Sequence, residues 1–133
     1  MDRAERTAAA IIIVLILLSA APQAEAAGQF SQTCMNIALE GTCLKADCLM
    51  PNGGTVPAKI YLSDFIGLLM GRLTWGGSGF QRFCRDLALI PKPEGGKTST
   101  WLRAYCETER YRGTTEINLD ERIGNNNGVL TFQ

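Results

Sequence analysis

Two stretches far apart in the chain share one frame. Residues 66–75 read IGLLMGRLTW and residues 123–132 read IGNNNGVLTF, both of the form I-G-x-x-x-G-x-L-T-aromatic. The match extends leftward without a gap, IYLSDFIGLLMGRLTW (60–75) aligning with INLDERIGNNNGVLTF (117–132) at an offset of 57. FSQTCMNIAL (30–39) aligns with FQRFCRDLAL (80–89) at an offset of 50, and LKADC (44–48) with LRAYC (102–106) at 58. The chain is therefore two copies of one unit, about 28–75 and 78–132. The second copy carries an extra stretch, IPKPEGGKTST (90–100), read here as a flexible loop. A half of about 50 residues buries little surface alone. The halves are expected to form one pseudo-symmetric body rather than two independent domains.

The local pattern predicts an all-β fold built from hairpins. In TCLKADC, Leu44, Ala46 and Cys48 alternate with Cys43, Lys45 and Asp47, and WLRAYC repeats this with Leu102, Ala104 and Cys106; period two is the strand period. AKIYL and TEINL place Ile and Leu on one face, while RLTW and VLTF are short strand-like runs after a Gly turn. SDFIG and DERIG read as single helical turns with Ser63 and Asp120 as caps.

The N-terminus reads as an export signal. Arg3 and Arg6 precede an apolar run from Ala8 to Ala21, followed by Pro22 and the A-x-A pattern Ala24-Glu25-Ala26. Residues 1–26 are thus expected to be a signal peptide and 27–133 a single secreted, extracellular domain. No second apolar stretch is long enough to span a bilayer. From Ala27 onward there are eleven Lys and Arg against ten Asp and Glu, with no basic face, which argues against a nucleic-acid partner. There is no histidine in the chain, which excludes Ser-His-Asp and Cys-His catalysis and His-ligated metals. No cofactor or metal is expected.

All five cysteines follow Ala26. Cys34 corresponds to Cys84 and Cys48 to Cys106. Four cysteines allow three pairings. The favoured one, Cys34–Cys48 with Cys84–Cys106, staples each half locally, and a crossed arrangement stays open. Cys43 has Trp101 in its equivalent place and alternates with the inward Leu44, so it is expected to point outward. An exposed free thiol, an intermolecular bridge and a half-buried small residue are the alternatives, with the last two favoured.

The ordered set GQFSQTC (28–34), L-x-A-x-C twice, I-x-L followed by an acidic turn, and G-x-L-T-W/F closing each half resembles the cyanovirin-N homology family. The resemblance covers Gly28 to Gln133. It implies a lectin fold in which tandem repeats exchange strands, one disulfide per repeat, and up to two carbohydrate sites at opposite ends. Many members bind mannose-rich glycans. Carried onto this sequence, the first site falls on Gln29, Gln32 and Thr33, the Leu49-Met50-Pro51-Asn52 segment with Asn52 as its polar member, and Asn125, Asn126 and Asn127. The second falls on Gly67-Leu68-Leu69-Met70 and Glu107-Thr108-Glu109, and the loss of polar side chains from its turn makes it a dead or retargeted site.

An Asn carboxamide suits a sugar because it offers two donors and an acceptor without the desolvation cost of a charge. The commonest reading of Asn-Gly is nonetheless a plain hairpin turn. EGGKTST lacks the phosphate-loop pattern because Pro91 stands where Gly is needed. Glu107 and Glu109 read as a charged, solvated edge rather than a glycosidase pair. Trp101 and Tyr105 lie on the outward face, expected to pack on the other half, and Trp75 and Phe132 in the core. There is no N-x-[ST] sequon. The function expected is a non-enzymatic, secreted lectin recognising mannose-rich oligosaccharides or glycoproteins. The alternative is an interaction or effector protein that keeps the fold without binding sugar. The flexible composition GGSG (76–79) joins the halves, so a monomer is expected, with a half-swapped dimer as the alternative.

Overall fold

In a computed structural model, which describes residues 28–133, both repeats contain the same parts in the same order. The expected signal segment lies outside the described residues. Repeat one opens with a 3-10 turn, Phe30–Gln32, and continues with β1 (Cys34–Glu40), β2 (Cys43–Leu49) and β3 (Thr55–Tyr61). A second 3-10 turn, Leu62–Asp64, leads into the hairpin of β4 (Ile66–Leu69) and β5 (Arg72–Trp75). Repeat two follows suit with the turn Phe80–Arg82, strands β6 (Cys84–Glu94), β7 (Lys97–Glu107) and β8 (Arg112–Asn118), and the turn Leu119–Glu121. It closes on the hairpin of β9 (Ile123–Asn126) and β10 (Val129–Phe132). The three-stranded sheets are ordered β1-β2-β3 and β6-β7-β8, antiparallel throughout.

Each repeat is completed by the other's hairpin. The β9–β10 hairpin packs on β3 and on the Phe30–Gln32 turn, and the β4–β5 hairpin packs on β8 and on the Phe80–Arg82 turn. The exchange leaves one core, filled by equivalent residues: Phe30 with Phe80, Leu44 with Leu102, Leu62 with Leu119 and Ile66 with Ile123, all fully buried. Each such side chain contributes about 1.5–3 kcal/mol by leaving water. Where the repeats end, Phe132 stacks on Phe65 at 4.9 Å and lies 5.7 Å from Trp75. Trp75 and Phe132 are half-buried against the core rather than within it.

The disulfides are Cys34–Cys48 and Cys84–Cys106, closing cross-strand pairs of β1/β2 and β6/β7. Just beyond each first cysteine the register slips, and Asn36 and Asp86 adopt φ of 54° and 55° at the bulge. Asn and Asp tolerate that conformation.

Four expectations need correction. The stretch 90–100 is not a loop, because β6 and β7 stay paired from Ile90↔Trp101 out to Glu94↔Lys97 around Gly95-Gly96. Both glycines have positive φ, as a two-residue hairpin turn requires. Pro91 and Pro93 fit because β6 is an edge strand, where a missing N–H on the solvent side costs nothing. Ser63 and Asp120 do not cap their turns but lie inside them; the Asn118 side chain caps the second by accepting from the Asp120 amide at 3.0 Å. Cys43 is free but buried, between its cross-strand neighbours Glu40 and Tyr61. Same-face neighbours on both sides cover a small side chain, so the thiol is not presented to another molecule.

The fourth correction concerns GGSG, which is pinned rather than loose. Gly76 donates to the Phe65 carbonyl at 3.1 Å and Gly79 to that of Ser63 at 2.8 Å. A Cβ placed on Gly67 would lie 3.0 Å from Gly77 Cα. These glycines serve a close approach of two backbone segments.

Candidate functional site

The polar end is built where the last hairpin of repeat two lands on repeat one. Asn125 holds it there. Its carboxamide nitrogen donates to Thr33 Oγ1 at 3.0 Å and to the Leu49 carbonyl at 3.1 Å, and its oxygen accepts from the Gly128 amide at 2.7 Å. Both N–H groups and the carbonyl are thus engaged within the protein. Asn125 is a latch between segments 92 and 76 residues apart, and it positions the site rather than offering free donors.

Beyond the latch, Asn126 and Asn127 are exposed at the tip. Asn127 (φ 55°) and Gly128 (φ 94°) form the two-residue turn between β9 and β10. The tip is seated: a Cβ on Gly128 would lie 2.6 Å from Val56 Cγ1 and 3.0 Å from Met50 Cγ. Alongside, the Met50–Gly54 loop closes through Met50 N–H to the Gly54 carbonyl at 2.8 Å. The Asn52 side-chain oxygen accepts from the Gly54 amide at 2.9 Å. Asn52 and Thr33 remain exposed.

Gln29 and Gln32 belong to a second, adjoining surface. The Gln29 backbone bridges to Gly124, and Gln32 Nε2 donates to the Thr98 carbonyl at 3.3 Å. Both line a polar cavity of about 280 Å³ together with Glu94, Lys97 and Ser99 of the long β6–β7 hairpin. The residues expected to form one site are therefore divided between the asparagine tip and this cleft.

One residue that organises this end was legible in the sequence only as a turn cap. Asp120 is buried and accepts from the Ser31 amide at 2.8 Å, the Ser31 hydroxyl at 2.6 Å and the Thr100 amide at 2.7 Å. It ties the start of repeat one to β7. The signal that exposes the long hairpin in the sequence is Gly95-Gly96 between two alternating runs. Across that hairpin, Lys92 (β6) and Arg103 (β7) reach Glu116 (β8) at 2.5 and 2.9 Å. The hydrogen bonds from Lys92 and Arg103 hold the Glu116 carboxyl below its usual value. Lys92 also lies over the half-buried Trp101 ring at 4.2 Å, and Arg85 over Tyr105 at 4.8 Å.

The opposite end has the same backbone and different chemistry. Leu49 N–H donates to the Thr33 carbonyl at 2.9 Å, and Glu107 N–H to the Phe83 carbonyl at 2.9 Å. Where the polar end has Thr33, Asn125, Asn126 and Asn127, this end has Phe83, Leu68, Leu69 and Met70. Glu107 ends β7 and pairs with Arg112 at 3.6 Å, while Glu109 lies beyond the strand. Both are exposed, and they do not share a strand face.

Duplicated β-repeats that trade hairpins, each stapled by one disulfide, define a cyanovirin-N-type lectin fold. The chain belongs to the CVNH domain family, whose profile matches residues 30–131. It is 33% identical to the CVNH protein of Gibberella zeae, with a TM-score of 0.71 over 79% of this chain and 97% of that one. It is 32% identical to microvirin, solved as a mannobiose complex, with a TM-score of 0.67 over 80% of this chain and 99% of that one. It is 31% identical to the T. borchii CVNH protein, with a TM-score of 0.66 over 79% of this chain and 99% of that one. The family is a lectin fold and not an enzyme family, and the chain is not an enzyme. Among the described residues no helix is long and apolar enough to cross a membrane.

Proposed function

We propose that this chain is a secreted lectin that binds mannose-type glycans through the asparagine tip, with Asn126, Asn127, Thr33 and Asn52 as its hydrogen-bonding surface. The observation that carries this reading is the Asn125 latch, which sets an exposed Asn-Asn-Gly turn beside Thr33 from the far end of the chain. Family membership and the likeness to microvirin in its mannobiose complex support it. Gln29 and Gln32 extend the surface toward the long hairpin.

The test separates contact from scaffold. Asn125→Ala would loosen the hairpin, so the informative variant is Asn126→Ala with Asn127→Gly, which removes two carboxamides and keeps φ > 0 available. Each lost hydrogen bond is worth about 0.5–1.5 kcal/mol, so affinity for mannobiose should fall about tenfold to a hundredfold. Calorimetric titration reads this. Silence of the parent protein across mannose-containing glycans would end the lectin reading, and full binding by the variant would move the site elsewhere.

A further inference from the structure

We propose that the end opposite the asparagine tip is a docking surface for an acidic protein segment carrying apolar anchors. Among the described residues, eight large hydrophobic side chains are exposed, and four of them belong to this end: Leu69 (62%), Met70 (71%), Phe83 (52%) and Tyr111 (42%). Three adjoining cavities of about 880, 720 and 530 Å³ share lining residues here. Met70, Gly71 and Tyr111 join the largest to the smallest, and Phe83, Thr108 and Glu109 join the smallest to the third. They form one groove between the β4–β5 tip, β8 and the turn that precedes it.

The charge around the groove selects the occupant. Five arginines line it, Arg72, Arg82, Arg85, Arg110 and Arg112, against three carboxylates, Glu107, Glu109 and Glu116. Glu116 is already taken by Lys92 and Arg103, Arg112 pairs with Glu107 at 3.6 Å and Arg85 with Asp86 at 3.7 Å. This leaves Arg72, Arg82 and Arg110 against Glu109, a positive surplus in a chain whose formal net charge is +0. Guanidinium groups pair with carboxylates in two-pronged geometry. Aromatic side chains, Met and Arg are the residue types enriched in protein interfaces, and exposed apolar patches with polar rims mark them. A sugar fits poorly, because the side chains that would meet its hydroxyls have been replaced on an unchanged backbone by Phe83, Leu68, Leu69 and Met70. The concave form suits a segment laid into it, with carboxylates on the rim and apolar side chains against Phe83 and Tyr111.

The inference does not depend on sugar binding at the other end, and its test keeps the two apart. A random dodecapeptide phage library is selected on the oxidised protein. Enriched peptides should interleave Asp or Glu with Leu, Phe or Trp, and a synthetic one should bind saturably in fluorescence anisotropy. Leu69→Ser with Phe83→Ser should weaken it at least tenfold, as should Arg82→Glu with Arg110→Glu. Asn126→Ala with Asn127→Gly, and excess mannobiose, should leave it unchanged. Thermal melts check folding, and the arginine pair carries the test alone if the serine pair melts early. Failure to enrich any peptide, enrichment of basic or purely polar peptides, or affinity unmoved by the folded variants would overturn the proposal. So would vesicles of phosphatidylcholine and phosphatidylserine, or a sulfated oligosaccharide, binding this groove where acidic peptides do not.

Discussion

Asn127 and Met70 occupy the same turn position in the two repeats, at φ of 55° and 52°. Asn takes that conformation with little strain, whereas an ordinary side chain there costs about 1–2 kcal/mol. Met70→Asn should therefore stabilise the protein by about 1 kcal/mol, read as a higher denaturant midpoint with an unchanged slope; a lower midpoint would show that Met70 is held by contacts outweighing its backbone strain. Asp120 is the opposite case, a residue whose environment was invisible in the sequence. It reads as a turn cap because Asp commonly caps and here opens the turn DERIG, yet its partners Ser31 and Thr100 lie 89 and 20 residues away. Asp120→Ala strands two backbone amides, those of Ser31 and Thr100, at about 1–3 kcal/mol apiece when left unsatisfied, while the Ser31 hydroxyl keeps the Thr98 carbonyl as an acceptor at 3.1 Å. A loss of about 2 kcal/mol or more in chemical unfolding is expected, and a loss under about 1 kcal/mol would mean water replaces the carboxylate. The Asn-Gly turn was legible because turn chemistry is local; the Asn125 latch was not, because it joins two repeats.

At the scale of elements, alternation and Gly turns made β2, β3, β5, β8, β10 and the WLRAYC part of β7 legible, whereas β1 and β6 gave no strand signal and the Ile-Gly pairs that open β4 and β9 read as helical turns. IPKPE and KTST hide a strand pair because the two prolines suppress the strand signal, although on an edge they are harmless. The backbone ladders and the Cys84–Cys106 disulfide join these strands, and the Lys92–Glu116–Arg103 cluster adds a side-chain link across β6, β7 and β8. Glu116 is about a quarter exposed, at 24%, so solvent screens the pairing and its contribution is modest. Its sign is nonetheless fixed. The folded-state carboxyl titrates below its ordinary value of 4.5, so its stabilisation is fully present above that value and is lost as pH falls through the lowered folded value. Glu116→Gln should accordingly be less stable than the parent at neutral pH, with the gap closing in acid. Melting curves taken from neutral to acidic pH would show it, and a gap that widens in acid would contradict the assignment.

The whole molecule depends on two repeats closing on each other within one chain, and the linker decides whether they do. Glycine-rich composition suggested slack, but Gly67 and Gly77 are in backbone contact: a Cβ on Gly67 would lie 2.9 Å from Ser78 N and one on Gly77 would lie 2.9 Å from Gly67 Cα. Exchanging halves between two chains opens the hinge and gives up this approach, along with the Gly76 and Gly79 hydrogen bonds that pin it. These contacts are expected to favour the closed monomer, which would present one asparagine tip and one apolar groove. Gly67→Ala tests the point. The added methyl meets backbone, which cannot swing aside as a flexible side chain would, and overpacking of this kind costs about 1–3 kcal/mol. The cost falls on the closed linker, so the balance should move toward the swapped dimer. Size-exclusion chromatography with light scattering should show the parent as a monomer and Gly67→Ala with a dimer fraction that grows with concentration and survives reduction of the disulfides. A parent that is already a stable dimer, or a Gly67→Ala protein that stays monomeric at undiminished stability, would mean that the Gly67–Gly77 contact does not hold the repeats closed.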